Sequence, residues 1–419
     1  MNPDDQMKRV VVTGLGALTP IGNTVEAYWN GLVQGRSGAA LITKFDATLF
    51  KTKFACEVKG FDPLQFLDKK EARKMDEYSQ YALVVADEAV RDANLIEDKV
   101  DQNRVGVIWA SGIGGMYSFQ EEVIAYGASG RNPRFNPFFI TKMIANMASG
   151  LISIRYGFRG VNFAPVSACA SATHALIDAF NYIRLGKAEV IIAGGSEAVV
   201  TEVAVGGFNA MKALSERNDD PATASRPFDA NRDGFVLGEG AAALVLEEYE
   251  HAKARGAKIY AELVGTGATA DAYHMTATHP EGLGATLAMN EALREANLKP
   301  EDVDYLNVHA TSTPVGDLSE AQAIQKVFGQ NPARLHLSAT KSMTGHLLGA
   351  AGAIEAVAGI LAIQHNTIPP TINLQERDER ISSDLNLTPN VAVQTPVDVV
   401  MSNTFGFGGH NAIVAFQRV

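Results

Sequence analysis

The sequence predicts an α/β protein built from two similar halves. Eight short runs rich in β-branched residues each end in a loop of small residues, four within residues 9–195 and four within residues 258–406. Segments of helical periodicity separate most of these runs. Strands that alternate with helices are typical of α/β folds with largely parallel sheets. Because the second set of runs repeats the first, we expect a duplicated fold.

The first half is expected to hold four strands and at least two helices. Apolar residues from Tyr78 to Ala93 lie mostly on one stripe of a helix, and those from Ala172 to Leu185 recur at spacings of three and four. Both patterns predict amphipathic helices. The strand-like runs of this half are residues 9–16, 104–112, 161–169 and 189–195.

The second half is expected to begin after residues 256–258, which gives the predicted domains 1–257 and 258–419. An alanine- and glycine-rich helix is predicted within Gly349–Gln364. Loops that follow the carboxyl ends of strands usually hold the chemistry of such folds, and here they contain Cys169, His309, Lys341 and Phe405. The strand-like runs of this half are residues 258–265, 304–311, 334–341 and 398–406.

Composition narrows the class of protein. The 419 residues are 46% hydrophobic and 20% charged, with a net charge of −11, which argues against disorder and against nucleic acid as the main partner. The first ten residues lack the basic and apolar regions of a secretory signal. Residues 349–364 are too short, and interrupted by Glu355, for a membrane span. We therefore expect a soluble cytoplasmic protein that does not enter a membrane.

Cysteine usage directs attention to single thiols. The two cysteines, Cys56 and Cys169, make neither a disulfide framework nor a zinc site. Cys169 lies between a strand and a helix, where the helix N-terminus is expected to lower its pKa. Burial as a structural thiol is an equally weighted alternative for Cys169, whereas Cys56 is expected only to pack.

Two histidines and a lysine share the loops that follow the strands. His309 ends a strand, and His346 lies five residues after Lys341. A cysteine with histidines on neighbouring loops predicts nucleophilic catalysis on a carbonyl. A metal site is not predicted, because no carboxylate or second cysteine stands at ligand spacing. A dinucleotide cofactor is not predicted at Gly14 either, since Thr19 replaces the third glycine of that fingerprint.

Two further segments have both a functional and a plain interpretation. Glycines 406, 408 and 409 could direct backbone N–H groups at an oxyanion, or form an ordinary turn. The basic residues from Lys69 to Lys74 could bind an acidic partner protein, or form a solvated helix face.

Six motifs in order carry a resemblance that covers the whole chain. The chain resembles the β-ketoacyl-acyl carrier protein synthases, most closely the elongating enzymes of type II fatty acid synthesis. The motifs are Ser167-Ala-Cys-Ala-Ser, Arg226-Pro-Phe-Asp, Arg232-Asp-Gly-Phe-Val-Leu-Gly-Glu-Gly, His309-Ala-Thr-Ser-Thr-Pro, Lys341-Ser-Met-Thr-Gly-His and Phe405-Gly-Phe-Gly-Gly.

The resemblance implies a thiolase-like α/β fold, with two duplicated halves whose mixed five-stranded sheets are layered between helices, and a homodimer. It implies that Cys169 accepts the acyl group and that His309 and His346 hold the malonyl thioester carbonyl. Lys341 would order the site with Glu355 as its carboxylate partner. Neither a metal nor an organic cofactor is implied.

The remaining roles follow from the same resemblance. Backbone N–H groups of Cys169 and Phe407 would form the oxyanion hole, and the Phe407 side chain would act as the gate for the acyl chain, supported by Phe405. Thr311 and Thr313 would contact the pantetheine arm. The residues that would dock the acidic acyl carrier protein are Lys70, Arg73, Lys74 and Lys212.

The chain departs from the family pattern at three positions. Ala310 replaces a glycine, and His410 replaces a threonine after the last glycine pair. Trp109 stands where long-chain enzymes carry a smaller residue in the acyl pocket, which leaves the preferred chain length open.

The function expected from these residues is decarboxylative condensation of malonyl-acyl carrier protein with an enzyme-bound acyl group, in fatty acid elongation. A ketosynthase of a polyketide or aryl-polyene pathway is the alternative within this class. A degradative thiolase is less favoured because it needs a second cysteine as base. A non-catalytic partner subunit is less favoured because such subunits usually lack the nucleophilic cysteine.

Overall fold

The computed structural model describes residues 7–329 and 334–419. Ten strands form one mixed sheet, five from each half of the chain. The strands are β1 (Val10–Leu18), β2 (Val105–Ala110), β3 (Asn162–Phe163), β4 (Val190–Glu197), β5 (Gly240–Glu248), β6 (Ala261–Ala270), β7 (Tyr305–Asn307), β8 (His336–Ser338), β9 (Val399–Gly406) and β10 (His410–Gln417).

The two halves repeat the same topology. Strand order is β1-β5-β4-β2-β3 in the first half and β6-β10-β9-β7-β8 in the second, and corresponding pairs run in the same relative direction. The halves meet where β1 pairs with β6 over three residue pairs, from Val10–Leu263 to Val12–Ala261. The predicted duplication, with five strands to each half, is therefore confirmed.

Strand direction differs from the simplest prediction. All eight predicted runs contain strands, but β5 and β10 were not among them. Strands β5 and β10 are each antiparallel to both of their neighbours. The expectation of largely parallel sheets is therefore wrong near the middle of each half. Two minor antiparallel pairs join Ala40–Leu41 to Phe54–Ala55 and Thr367–Ile368 to Val393–Gln394.

Thirteen α-helices lie within the described residues. The two helices predicted in the first half are observed at Glu77–Asp92 and Ser171–Arg184. The helices are α1 (Val25–Val33), α2 (Lys69–Ala72), α3 (Glu77–Asp92), α4 (Met116–Ala128), α5 (Phe139–Met143), α6 (Met147–Tyr156), α7 (Ser171–Arg184), α8 (Glu202–Ala210), α9 (Tyr249–Ala254), α10 (Leu283–Ala296), α11 (Gly316–Phe328), α12 (Lys341–Thr344) and α13 (Ala351–His365). Five short 3-10 helices span Pro63–Gln65, Ala168–Ala170, Pro221–Thr223, Pro300–Asp302 and Leu348–Ala350.

The core is layered around two central helices. Helices α7 and α13 share one apolar cluster with side chains from strands of both halves. A second cluster joins α3 and α6 to the first half, and a third joins α10 and α11 to the second. Each half of the sheet therefore packs against α7 and α13 and against its own pair of helices, α3 and α6 in the first half and α10 and α11 in the second.

The central helix α13 is buried on every side, and Glu355 is the only charged residue within its buried part. Residues Ala351–Ile363 are all buried, which explains why the sequence shows no polar stripe there. The stretch Leu348–His365 has the length and hydropathy of a membrane span, but 89% of it is buried inside the protein. Its apolar character is that of a core helix. The predicted domain boundary after residue 257 falls between β5 and β6 and stays a prediction.

Candidate active site

Cys169 lies in a tight turn between β3 and α7. The 3-10 helix Ala168–Ala170 carries it, and Ala168 has a left-handed φ of 51°. The Ser171 hydroxyl accepts a hydrogen bond from the Ser167 N–H (2.8 Å) and donates one to the Ala168 carbonyl (2.6 Å). We call residues 167–170 the nucleophile loop. These bonds hold the thiol just before the first turn of α7.

The two predicted histidines lie beside this thiol. His346 Nε2 is 3.0 Å from Cys169 Sγ. The rings of His309 and His346 are nearly perpendicular, with centroids 5.4 Å apart. Phe405 packs against His309 at 5.5 Å, and Phe235 packs against His346 at the same distance. The structure thus brings together one thiol and two imidazoles within an aromatic wall.

Lys341 and Glu355 form the predicted ion pair, and both are buried. Burial raises the pKa of Glu355 to about 7, against the opposing effect of Lys341. Burial, and then the Lys341 charge, hold the pKa of His309 and that of His346 well below their usual value. Both imidazoles are therefore neutral near pH 7.

The electrostatic environment of Cys169 corrects one expectation. Burial raises the pKa of the Cys169 thiol to about 12. Lys341 and the backbone N–H groups of Phe407 and Cys169 favour the thiolate, but they do not offset desolvation, and Glu197 opposes them. The predicted net lowering of this pKa is wrong, because removal of water outweighs the effect of the helix N-terminus. The thiol is protonated at rest.

The last glycines form the turn between β9 and β10, residues 406–409, which we call the glycine loop. Gly408 and Gly409 have left-handed φ angles of 89° and 77°, which favour glycine. A Cβ atom on Gly406 would lie 2.7 Å from the Ser167 carbonyl oxygen, so only glycine lets the two loops approach this closely. Phe407, partly exposed, directs its N–H at Cys169.

Glu320 of α11 is a site residue that the sequence did not reveal. Its carboxylate accepts hydrogen bonds from the N–H groups of His309 (2.8 Å) and Ala310 (2.7 Å) and from Asn403 Nδ2 (3.0 Å). Burial raises its pKa to about 7. The carboxylate fixes the backbone on which His309 stands. Its only signal is an acid eleven residues after that histidine, which resembles an ordinary helix-surface residue.

Glu197, at the end of β4, was also missed. It accepts hydrogen bonds from the Ser111 hydroxyl (2.9 Å) and from the N–H groups of Gly112 (2.8 Å), Ile113 (3.2 Å) and Gly349 (2.9 Å). One buried carboxylate therefore joins the loop after β2 to the segment that precedes α13.

The predicted substrate residues occupy different depths. The Thr311 and Thr313 hydroxyls are 3.2 Å apart and partly exposed. Trp109 is fully buried, and its Nε1–H donates to Ser196 Oγ at 3.0 Å. The cations Lys70, Arg73, Lys74 and Lys212 are all exposed.

Comparison with protein-family models identifies the family to which this chain belongs. The model for the N-terminal domain of β-ketoacyl synthases matches residues 7–252, and the model for the C-terminal domain matches residues 260–375. The chain belongs to the β-ketoacyl synthase family.

Similar β-ketoacyl synthases match over almost the whole chain. The 3-oxoacyl-[acyl-carrier-protein] synthase 2 of Synechocystis is 49% identical over 413 residues, and that of Coxiella burnetii is 50% identical over 414, each covering 99% of both chains. A β-ketoacyl synthase structure from Burkholderia phymatum is 37% identical with a TM-score of 0.92, covering 99% of this chain and all of the other.

A complex adds information about carrier proteins in this family. The structure of a type II polyketide acyl-carrier protein with its ketosynthase, bound to the hexaketide, is 34% identical to this chain with a TM-score of 0.92, and it covers 99% of this chain and 100% of its own. Within the described residues of this synthase, no group of three His, Cys, Asp or Glu side chains could hold a metal ion.

Proposed function

We propose that this protein condenses malonyl-acyl carrier protein with an acyl group held on Cys169, releasing carbon dioxide and 3-oxoacyl-acyl carrier protein in fatty acid elongation. The observation that carries this proposal is the contact of His346 with the Cys169 thiol, with His309 perpendicular to His346. Full-length relatives named 3-oxoacyl-acyl carrier protein synthase 2 support the same chemistry.

The first half-reaction transfers the acyl group to the enzyme. Cys169 Sγ attacks the thioester carbonyl carbon of the acyl carrier, while its proton passes to His346 Nε2. The N–H groups of Cys169 and Phe407 stabilise the oxyanion. The tetrahedral intermediate collapses, the carrier sulfur leaves, and it takes the proton from His346. The enzyme then holds a thioester and the imidazole is neutral again.

The second half-reaction forms the carbon–carbon bond. His309 and His346 donate hydrogen bonds through Nε2–H to the malonyl carbonyl oxygen, and loss of carbon dioxide leaves an enolate that these donors stabilise. The Nδ1 atoms of both rings have no hydrogen-bond partner among the described residues, so each ring can adopt the required tautomer. The enolate carbon attacks the acyl carbonyl carbon, Cys169 leaves as a thiolate, and a solvent proton restores the thiol.

Trp109 is proposed to set the depth of the acyl pocket. Its indole is completely buried and is fixed by Ser196, and a Cβ atom on Gly194 would lie 3.0 Å from its Cζ3 atom. An indole held on two sides cannot turn aside easily. We therefore propose a preference for shorter acyl chains than a smaller residue would allow.

Exposed side chains support two proposed partners, an acyl carrier protein and a second copy of this chain. Lys70, Arg73, Lys74 and Lys212 suit an acidic carrier protein, and Thr311 and Thr313 suit its pantetheine arm. The homodimer is supported by the aromatic side chains that α5 and the loop before it expose, including Phe135 and Phe138, which are 45% and 40% exposed. Cytoplasmic location stays a prediction.

A product assay separates fatty acid elongation from the polyketide alternative. Purified enzyme should be given malonyl carrier with either saturated or conjugated polyene acyl carriers. We expect 3-oxoacyl products from the saturated carriers, because the relatives named 3-oxoacyl-[acyl-carrier-protein] synthase 2 are 49–50% identical, against 34% for the type II polyketide ketosynthase structure. Condensation of polyenes alone would support the alternative.

A further inference from the structure

A second pair of histidines, His174 and His410, lies near Cys169 and has no role in the mechanism described above. His410 begins β10 and pairs with Gly406 across the glycine loop and with Ala270 of β6. Its ring lies over Gly408, where a Cβ atom would come within 3.0 Å of His410 Nε2. The imidazole therefore lies against Gly408, one of the two left-handed glycines of the loop.

His174 occupies the matching position on the nucleophile side. It lies in the first turns of α7, and its Nδ1 is 2.6 Å from the Ser167 hydroxyl oxygen, two residues before Cys169. The rings of His174 and His410 meet edge to face, with centroids 6.2 Å apart and planes at 89°. Burial lowers the pKa of His174, and His410 lowers it further, so its ring stays neutral in this contact.

The pair connects the two backbone segments that supply the oxyanion hole. Phe407 stands in the glycine loop, directly before the Gly408 that His410 lies against. Cys169 stands in the nucleophile loop, which His174 contacts through Ser167. Left-handed glycines give the glycine loop more backbone freedom than any other residue would. Stabilisation of an oxyanion depends on fixed donors, since displaced N–H groups lose much of their effect.

We propose that His410 and His174 are positioning residues that hold the Phe407 and Cys169 N–H groups in register for acyl transfer. This inference rests on the proposed function, since it assigns the pair to the first half-reaction. Malonyl decarboxylation uses donors from His309 and His346 and does not need the pair. The two half-reactions should therefore respond differently when the contact is removed.

The test is a double-mutant cycle on both half-reactions. His410→Ala, His174→Ala and the double variant are compared for acylation of Cys169 in a single turnover and for malonyl decarboxylation. We expect each single variant to acylate about 3- to 10-fold more slowly, the range an edge-to-face aromatic contact supports. The double variant should be no slower than the slower single variant, and His410→Phe should restore the rate. Decarboxylation should be unchanged throughout.

A matched control is His365→Ala, which removes an exposed histidine stacked on Trp29 and should leave both rates unchanged. Additive effects of the two substitutions on acylation would overturn the proposal, because they would show no coupling. An equal loss of decarboxylation would overturn it too, since the residues would then serve general structure. Absence of acylation in the unsubstituted enzyme would instead overturn the proposed function itself.

Discussion

At the residue scale, burial and the N-terminus of α7 have opposite effects on the pKa of the Cys169 thiol. The helix N-terminus, Lys341 and two backbone N–H groups favour the thiolate, yet desolvation raises the thiol pKa to about 12. A nucleophile of this kind depends on a base at the moment of attack. His346 Nε2, 3.0 Å from the sulfur, is placed to be that base.

The raised pKa predicts how alkylation of Cys169 depends on pH. A thiol with a pKa of about 12 has a small thiolate fraction near neutral pH, and that fraction grows about tenfold with each pH unit. The rate of iodoacetamide addition to Cys169, followed by peptide mass spectrometry, should therefore rise without a plateau between about pH 7 and 9. A plateau within that interval would show that the thiol titrates lower.

A second prediction at this scale concerns Trp109. Trp109→Ile removes a buried indole from the proposed pocket wall, so longer acyl chains should fit. We expect kcat/KM for long-chain acyl carriers, relative to short-chain ones, to rise by at least about 10-fold. Ser196→Ala is the control, because it removes the indole's hydrogen bond and keeps its volume. An unchanged preference in the Trp109 variant would place the pocket elsewhere.

Predictability from sequence differs among the site residues for physical reasons. Cys169, His309 and Lys341 follow strand ends, and a strand end can be located from local pattern. Glu197 accepts from the backbone N–H of Gly349, and Glu320 accepts from the His309 N–H and the Asn403 side chain. Only the folded chain brings these donors together. The thiol pKa was mispredicted because burial is not visible in local sequence.

At the element scale, the close contact of α7 and α13 brings the two halves of the site together. Gly352 sits against Thr173, where a Cβ atom would lie 1.9 Å from Oγ1 and 2.9 Å from the backbone nitrogen. Thr173 belongs to α7, the helix that begins just after Cys169. Small residues at the start of α13 therefore set how near Lys341 and Glu355 come to the nucleophile.

Gly352→Ala should destabilise the protein because the added methyl group meets backbone as well as side chain. We expect a loss of about 1–3 kcal/mol in the free energy of unfolding, measured with urea. Gly150→Ala in α6 is the matched control, since a Cβ atom there meets nothing within 4 Å. It should be neutral or stabilise by up to about 1 kcal/mol. Equal effects of both substitutions would contradict this packing.

The short helix α2 supports a prediction about carrier docking. Arg73 and Lys74 end this exposed basic segment, so reversing both charges should weaken encounter with an acidic carrier and leave the buried chemistry intact. Arg73→Glu with Lys74→Glu should raise KM for acyl carrier protein about 10-fold with kcat unchanged. Lys299→Glu, an exposed cation on another surface, is the control. An unaltered KM would mean that the carrier docks elsewhere.

At the scale of the whole molecule, the duplication of the fold was more predictable from sequence than the direction of its strands. Eight strand-like runs in two sets indicated two halves, and the structure repeats one topology in both. Strand β5 reads Gly-Ala-Ala-Ala-Leu-Val-Leu-Glu-Glu, with little of the β-branched character that marks strands. It is nevertheless buried along its whole length, so tertiary packing overrides the low strand preference of its residues. In the sheet it lies between β1 and β4 and is antiparallel to both.

The placement of one thiol from the first half against a histidine from the second depends on this layered assembly. Its chemical consequence is a covalent acyl-enzyme, which can be observed directly. Intact and peptide masses are measured after incubation with acyl carrier protein, and again after addition of malonyl carrier, with Cys169→Ala and Cys56→Ala as controls.

We expect the acyl mass on Cys169 in the unsubstituted enzyme and in Cys56→Ala, none in Cys169→Ala, and its discharge as 3-oxoacyl carrier when malonyl carrier is added. An unmodified Cys169 alongside 3-oxoacyl product, or an acyl group on another residue, would contradict the central claim.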